Sequence, residues 1–158
     1  MQRFKITRGG YEKLKKDLDR LVNIERPKIS KAIGEAIALG DLSENAEYSS
    51  SKEKQVINEA MISSLTEKLA NADIVDLSKI SGDTIDFGAT VYLVDEDTEK
   101  EIVYTLLSEF ESDLEKNIIS IDSPIGRALV GKNIGESVEI KVPSGIRYYE
   151  VIGIKWNT

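Results

Sequence analysis

The sequence predicts an α+β protein in which a long antiparallel helical hairpin precedes a compact, mainly antiparallel sheet domain. Apolar residues recur at steps of three and four up to residue 72, whereas from residue 89 they alternate with polar ones. Only the short linker "GDLS" separates the two helical stretches. We therefore expect residues 1–75 to form the hairpin and residues 76–158 to form the sheet domain.

The first helical stretch begins near Ile6, with Thr7 as its N-cap. Its apolar stripe continues on both sides of Pro27, which would cost about 3 kcal/mol in a regular helix interior. Because the stripe resumes, we expect a kink that the helix tolerates. The stripe consists of Tyr11, Leu14, Leu18, Leu21, Ile29, Ile33 and Ala36.

The second helical stretch covers Glu44 to Ala72, and the short linker requires it to fold back on the first. A helix over residues 8–39 would be about 48 Å long. Two helices bury only a narrow seam, so we expect the hairpin to project as an arm with its tip at residues 40–47. The predicted seam of the second helix consists of Ile57, Met61, Leu65 and Leu69, widened by Ile62 and Ala72.

The second half of the chain alternates with a period of two and is rich in β-branched and aromatic residues. Turn signals such as "VPSG" separate the runs. The segment "SPIGRALVG" (123–131) begins with Ser-Pro and predicts a short helix between strands. The predicted strands are "ATVYLVD", "EIVYTLLS", "NIISID", "SVEIKV" and "RYYEVIGI".

The composition excludes much enzyme chemistry. The chain has 158 residues, a net charge of −7, no cysteine and no histidine, so it has no disulfides, no thiolate or imidazole ligands and no histidine base. No apolar run is long enough to cross a membrane, and the N-terminus lacks a signal-peptide core. These features predict a cytoplasmic protein with no membrane partner.

Charge is unevenly distributed along the first half. The negative total argues against general nucleic-acid binding, yet residues 3–31 carry ten basic and four acidic side chains. Residues 32–51 then carry four carboxylates and no basic residue. The usual interpretation of the basic run is a solvated helix face; a local positive stripe ending at an acidic point is the alternative.

The acidic point at residues 40–47 has two interpretations. Asp41 and Glu44 match a capping box at the start of the second helix, and Gly40 suits the left-handed residue that ends the first. Alternatively, these carboxylates complete the shell of a metal ion held mainly by a partner, because two or three carboxylates alone bind Mg²⁺ weakly. Spacing alone favours the caps.

Three motifs resemble the bacterial Gre transcript-cleavage factors: "GDLSENAEY", "FGATV" (87–91) and "SPIGRALVGK" (123–132). The resemblance extends in order over essentially the whole chain. It implies a coiled-coil arm followed by an FKBP-like domain. It further implies that the arm enters the secondary channel of backtracked bacterial RNA polymerase, which then cleaves the extruded RNA 3′ segment.

The resemblance places the catalytic tip carboxylates at Asp41 and Glu44. Asp41 would be a ligand to a Mg²⁺ ion shared with the polymerase, and Glu44 would position or deprotonate the attacking water. Glu47 would act only electrostatically. The chain would have no cofactor and no activity in isolation, would be a monomer, and would meet DNA only indirectly within the elongation complex.

Two further surfaces follow from the resemblance. The family's arginine near the tip, part of a basic patch that holds RNA, falls at Ile37, which leaves Lys52 and Lys54 for that role. Lysine lacks the bidentate fork of arginine, so we expect activity on short backtracked segments. The implied polymerase contact in the second domain consists of Ser123, Pro124, Arg127 and Lys132.

Three other functions compete with this interpretation. One is a Gre-like inhibitor that enters the channel without promoting cleavage, although intact Asp41 and Glu44 argue against it. Another is a coiled-coil adaptor with no part in chemistry. The third is a prolyl isomerase, which would need an aromatic-lined pocket; the available aromatic residues are Phe87, Tyr92, Tyr104, Phe110 and Trp156.

Overall fold

The computed structural model describes residues 1–41 and 44–156. It confirms the predicted α+β class, with a helical hairpin and a mixed sheet. The chain divides into two compact units, of which the first contains Met1–Arg3 and Tyr11–Ala72 and the second contains Phe4–Gly10 and the chain from Asp73 onward. Within the described ranges, no helix is both long and apolar enough to cross a membrane.

The first unit is an antiparallel helical hairpin. Its first limb contains helix α1 (Arg8–Arg20), a π-helical turn (Leu21–Glu25) and helix α2 (Arg26–Ala38), and its second limb is helix α3 (Ala46–Asn71). Arg26 donates to both carboxylate oxygens of Glu59, at 2.7 and 2.9 Å. This bidentate ion pair joins the middle of one limb to the middle of the other.

Pro27 is accommodated by the π-helical turn that precedes it. The backbone N–H of Arg26 donates to the carbonyl of Leu21, five residues back, and Pro27 lies in the first turn of α2. A proline is tolerated there because the N–H that it lacks has no regular partner after the wider turn. The prediction that the helix continues past Pro27 is confirmed, and the irregularity is a π turn.

The seam of the first limb is as predicted, with Leu14, Leu21, Ile29 and Ala36 buried. The predicted seam of α3 is wrong in part, because Ile57 and Met61 are 58% and 46% exposed. The residues that turn inward follow alternating steps of four and three: Ser51, Gln55, Asn58, Ile62, Leu65 and Leu69.

Asn58 explains why polar residues displace Ile57 and Met61 from the seam. It is buried, with 5% of its surface exposed, and its side-chain amide donates to the carbonyl of Leu21 at 3.2 Å. A buried amide with a hydrogen-bond partner is tolerated. A pattern read only from apolar residues cannot detect that arrangement.

The segment before α1 is a strand rather than the start of the helix. Strand β1 (Phe4–Thr7) pairs with β2 (Ala72–Val75), and Ile6 is completely buried. The expected helical start at Ile6 is therefore wrong, although Thr7 does cap the helix by accepting from the N–H of Gly10 at 3.0 Å. Pairing with a strand distant in sequence overrides the local pattern.

Contacts within the second unit hold this N-terminal segment in place. The ring of Phe4 meets that of Phe110 edge-on, with centroids 5.0 Å apart. The carboxylate of Glu111 accepts from the N–H and hydroxyl of Thr7 and from the N–H and hydroxyl of Ser108. Residues 4–10 therefore pack with the sheet unit, although the sequence places them in the hairpin domain.

The second unit contains a five-stranded mixed sheet of order β5-β4-β3-β7-β6. Only β4 and β5 run parallel, and every other neighbouring pair is antiparallel. The elements match the predicted runs closely. They are β3 (Ala89–Asp95), β4 (Glu101–Leu107), β5 (Ile118–Ser120), α4 (Pro124–Leu129), β6 (Ser137–Val142) and β7 (Gly145–Trp156).

One face of this sheet forms the core. Alternate residues of β3 point inward, and Ala89, Val91 and Leu93 are fully buried. Leu129 of α4 and Val151 of β7 pack in the same cluster. The short helix therefore covers the apolar face of the sheet, as expected for a two-layer domain.

Asp95 ends β3 as a buried carboxylate with several donors. It accepts from the backbone N–H groups of Asp97 at 2.8 Å and Thr98 at 3.1 Å, and from Arg147 at 3.1 Å. The two backbone hydrogen bonds, assisted by the Arg147 guanidinium, hold the pKa of Asp95 below its ordinary value. The ionised form is thus favoured in the folded state.

Asp95 gives stability a defined pH dependence. Because its folded pKa is depressed, its contribution is present above its unfolded pKa of about 3.9 and is lost as pH falls through the folded pKa. We expect Asp95→Asn to lower the thermal midpoint at pH 7, and the gap from wild type to shrink as the pH falls below the unfolded pKa toward the depressed folded one. A gap that stayed constant over this range would contradict the assignment.

Candidate functional site

The hairpin reverses direction over residues 39–45, between the last residue of α2 and the first of α3. Leu39 and Gly40 donate backbone hydrogen bonds to the carbonyls of Ala36 and Ile37, at 3.1 and 3.3 Å. Gly40 has a φ of +121°, which a residue with a side chain rarely adopts. The predicted role of Gly40 in ending the first limb is confirmed. Leu42 and Ser43 of the tip motif lie outside the described residues.

Asn45 closes the turn by serving both helices at once. Its side-chain oxygen accepts from the N–H of Tyr48 at 3.1 Å, which makes Asn45 the N-cap of α3. Its side-chain nitrogen donates to the carbonyl of Ala36 at 2.7 Å. A single amide therefore satisfies the start of one helix and the end of the other.

The predicted capping box of Asp41 and Glu44 is wrong. Helix α3 begins at Ala46 and Asn45 is its N-cap, so Asp41 and Glu44 both precede the cap. Both residues are exposed. Glu47 lies in the first turn of α3, where a negative charge favours the helix dipole. Capping of α3 therefore does not account for the carboxylates at positions 41 and 44.

The carboxylates at the tip have the donor chemistry that suits a magnesium ion. Among residues 1–41 and 44–156 there is no group of three or more histidine, cysteine or acidic side chains placed to hold a metal. Two carboxylates supply hard oxygen ligands of the type that Mg²⁺ prefers. That ion retains several waters or partner ligands, so two exposed carboxylates fit part of its shell.

The side of the hairpin near the tip carries the residues expected to contact RNA. Ile37 is 51% exposed, so no cation stands at the position that the resemblance assigns to arginine. Lys52 donates to the side-chain oxygen of Gln55 at 3.0 Å, and Lys54 is exposed. The structure places both lysines on α3, within about two to three turns of its start.

The predicted polymerase contact in the second unit lies on and beside α4. Ser123 caps this helix by accepting from the N–H of Gly126 at 3.0 Å, and its hydroxyl donates to the carbonyl of Ser120 at 2.6 Å. Pro124 and Arg127 are exposed, and Lys132 is partly exposed. The hydroxyl of Ser123 is thus used within the fold, whereas the side chains beside it reach solvent.

The aromatic residues considered for a prolyl isomerase have separate roles within the described part of the fold. Phe87 is buried with 1% of its surface exposed, and Phe110 packs on Phe4. Tyr104 pairs with the inward-facing Val91, whereas the next residue, Tyr92, belongs to the opposite face of the sheet. Trp156 donates its indole N–H to the carbonyl of Gly82 at 2.9 Å.

Each half of the chain matches a protein-family model. Residues 4–74 match the model described as "Transcription elongation factor, N-terminal", and residues 80–156 match "Transcription elongation factor, GreA/GreB, C-term". Together the two models cover nearly the whole chain. The protein belongs to the GreA/GreB family of transcription elongation factors.

Among curated proteins, the chain is similar to those named transcription elongation factor GreA. It is 51% identical to the one from Brucella anthropi over 156 residues, covering 99% of each chain. It is 49% identical to the one from Rickettsia bellii, covering 99% of this chain and 97% of that one. Each of these relatives is thus similar to the chain over almost its full length.

Among solved structures, the chain is similar to the GreA factor homolog 1 protein of Thermus thermophilus. The two share 28% sequence identity over 98% of this chain and 99% of that one, with a TM-score of 0.45. The family assignment rests on the family models and the curated relatives.

The double role of Asn45 predicts a marked loss of stability when its amide is removed. Asn45→Ala deletes the cap, which costs about 0.5–2 kcal/mol, and leaves the carbonyl of Ala36 without this donor. We expect the free energy of unfolding by urea to fall by roughly 1–3 kcal/mol.

Asn45→Ser is the matched control for this measurement. Serine caps about as well as asparagine, but its side chain is too short to bridge to Ala36. Asn45→Ser should therefore lose less stability than Asn45→Ala. Equal losses would show that the hydrogen bond to the N–H of Tyr48 contributes no stability.

Proposed function

We propose that this protein enters the secondary channel of backtracked bacterial RNA polymerase and stimulates the polymerase's own cleavage of the nascent RNA 3′ segment, so that elongation resumes. The proposal depends mainly on the finding that the residue that caps α3 is not one of the two tip carboxylates. Asn45 caps α3, while Asp41 and Glu44 are exposed on the turn. The tip therefore presents two carboxylates beyond a firmly closed pair of helices.

In this mechanism Asp41 would be a ligand, direct or through water, to a Mg²⁺ ion that the polymerase would also hold. When bound, the ion would supply charge neutralisation for phosphodiester hydrolysis. Glu44 would orient the attacking water or accept its proton, which an exposed carboxylate can do beside a cation. Glu47, in the first turn of α3, contributes only negative potential.

The protein itself would then be no enzyme, since its two carboxylates act only within the active site of the polymerase. Its partners would be the polymerase and the RNA 3′ end, with DNA met only within the elongation complex. It would act as a monomer in the cytoplasm.

The RNA side of the tip should hold the extruded strand weakly. Ile37 offers no charge, and Lys52 is engaged with Gln55. A lysine gives a phosphate a point charge without the bidentate geometry of arginine. Cleavage should therefore favour short backtracked segments.

The α4 surface would contact the rim of the channel through Pro124 and Arg127. We expect Arg127→Glu, at an exposed position, to weaken polymerase binding several-fold in a competition assay while leaving the thermal midpoint unchanged. Unaltered binding would remove Arg127 from the contact.

Amide substitutions at the tip test the catalytic roles directly. Neither Asp41 nor Glu44 is the cap of α3, and the amide substitutions keep the size of each side chain and an oxygen that accepts hydrogen bonds, so Asp41→Asn and Glu44→Gln should change the thermal midpoint little. A neutral amide is a poor Mg²⁺ ligand and cannot take a proton from water. Each variant should bind the polymerase normally yet stimulate cleavage roughly a hundredfold less, as expected for groups used only in the transition state.

Glu47→Gln is the control for these variants, because it removes a nearby charge without touching the proposed ligands. It should retain most of the activity. Cleavage stimulated at the wild-type rate by both Asp41→Asn and Glu44→Gln would refute the catalytic roles.

Magnesium binding by the isolated protein separates donated ligands from a resident site. Two carboxylates are too few to hold Mg²⁺ tightly, so calorimetry on the protein alone should detect no site of micromolar or better affinity. Incubation with RNA and Mg²⁺ should give no cleavage in the absence of polymerase. A tight site in the isolated chain would contradict the shared-metal mechanism.

A further inference from the structure

A continuous apolar groove runs along one side of the hairpin, between the first limb and α3. It consists of two adjoining cavities of about 380 and 460 Å³, both of which are lined by Arg20, Leu21, Ile57 and Met61. Leu21 forms the floor, with only 2% of its surface exposed, whereas Ile57 and Met61 stand 58% and 46% exposed. The groove is therefore open and keeps two large apolar side chains in water.

The α3 wall of the groove is a second stripe beside the seam. Lys54, Ile57, Met61, Ser64 and Lys68 all line it and recur at steps of three and four. From Lys54 to Lys68 the stripe is about 21 Å long. This length matches a helix of about four turns lying along the hairpin as a third strand of the coil.

Basic side chains outnumber acidic ones in the groove lining, although the net charge of the whole chain is negative. Lys28 and Lys54 stand at the end near the tip and Lys68 at the other, with Arg20 between them. The acidic side chains in the lining are Asp17 and Glu25, and Glu25 already forms an ion pair with Arg20 at 3.5 Å. The protein as a whole carries −7, so this cationic rim selects for an acidic partner.

We propose that this groove docks an acidic amphipathic helix of about four turns on RNA polymerase. Its apolar stripe would cover Ile57 and Met61, and a flanking carboxylate would pair with Lys28. The proposal rests on the proposed function for the identity of the partner. It assigns a second binding surface on the hairpin, several turns away from the tip.

Two other occupants fit the groove less well. A two-fold dimer would place the groove against itself, so that the cations of one copy faced those of the other. Single-stranded RNA is held by aromatic stacking as well as by charge, and no aromatic side chain lines the described part of either cavity.

Paired variants of the full chain test the groove. Ile57→Ser/Met61→Ser removes the exposed apolar side chains, and Ile24→Ser/Val56→Ser is the matched control, since Ile24 and Val56 are 60% and 68% exposed and line neither cavity. Lys28→Glu reverses the charge of a groove lysine that lies outside the RNA patch, with Lys13→Glu as its control, since Lys13 lines neither cavity. Polymerase affinity is measured by competition at low and high salt, and cleavage is measured at saturating protein.

We expect each groove variant to bind the polymerase about tenfold more weakly, and the charge variant to lose part of the salt dependence. Both controls should stay within about twofold of the wild type. Maximal cleavage at saturation should be unchanged, because Asp41 and Glu44 remain. Groove variants that bind like their controls would overturn the docking proposal.

A crosslink identifies the occupant. The chain has no cysteine, so Ile57→Cys provides a unique site for a photoreactive label, with Val56→Cys as its control. The label at position 57 should react with an acid-rich helical segment of the polymerase, and the label at position 56 should not. A predominant adduct with RNA or with a second copy of the chain would refute the proposal.

The same measurements separate this proposal from the proposed function. If the wild type stimulates cleavage and the groove variants bind the polymerase normally, only the docking proposal is refuted. If the wild type binds the polymerase through the groove but does not stimulate cleavage, only the proposed function is refuted. Absence of polymerase binding by the wild type refutes both.

Discussion

Closure of the hairpin turn by Asn45 is the constraint on which the tip depends. A chain that reverses between two helices leaves carbonyls unsatisfied at the end of one and N–H groups at the start of the other. The Asn45 amide carries both a donor and an acceptor, and it reaches the carbonyl of Ala36 and the N–H of Tyr48 together. Because helix α3 is capped in this way, its start requires neither Asp41 nor Glu44 as a cap.

A second amide plays a comparable part in the middle of the hairpin. Asn58 is buried against the π-helical turn and donates to the carbonyl of Leu21. The polar residue occupies a seam position that an apolar one would otherwise fill. Its apolar neighbours Ile57 and Met61 therefore remain outside the seam. The exposed groove is thus a consequence of how the two limbs meet, and the same arrangement provides a surface for a third helix.

The two units are stabilised by different means. The hairpin has a narrow seam with polar members, supported by ion pairs such as Arg26–Glu59. The sheet unit has a continuous apolar cluster covered by α4, and it also holds Phe4–Gly10 through Glu111. Burial of apolar area is the larger stabilising term. We therefore expect the sheet unit to resist unfolding longer than the region around the tip.

Local periodicity and capping are enough to predict the class of fold, the strands from Ala89 onward, the helix α4 and the roles of Thr7 and Gly40. The sequence also supplied the tip motif through which Asp41 and Glu44 were identified, whereas their chemistry depends on a partner and stays a prediction. The folded chain was needed to show that Ile6 belongs to a strand, that Asn45 joins both helices at the turn and that Ile57 faces outward. Each of these depends on a group distant in sequence or on the opposite limb, and local patterns carry no information about such partners.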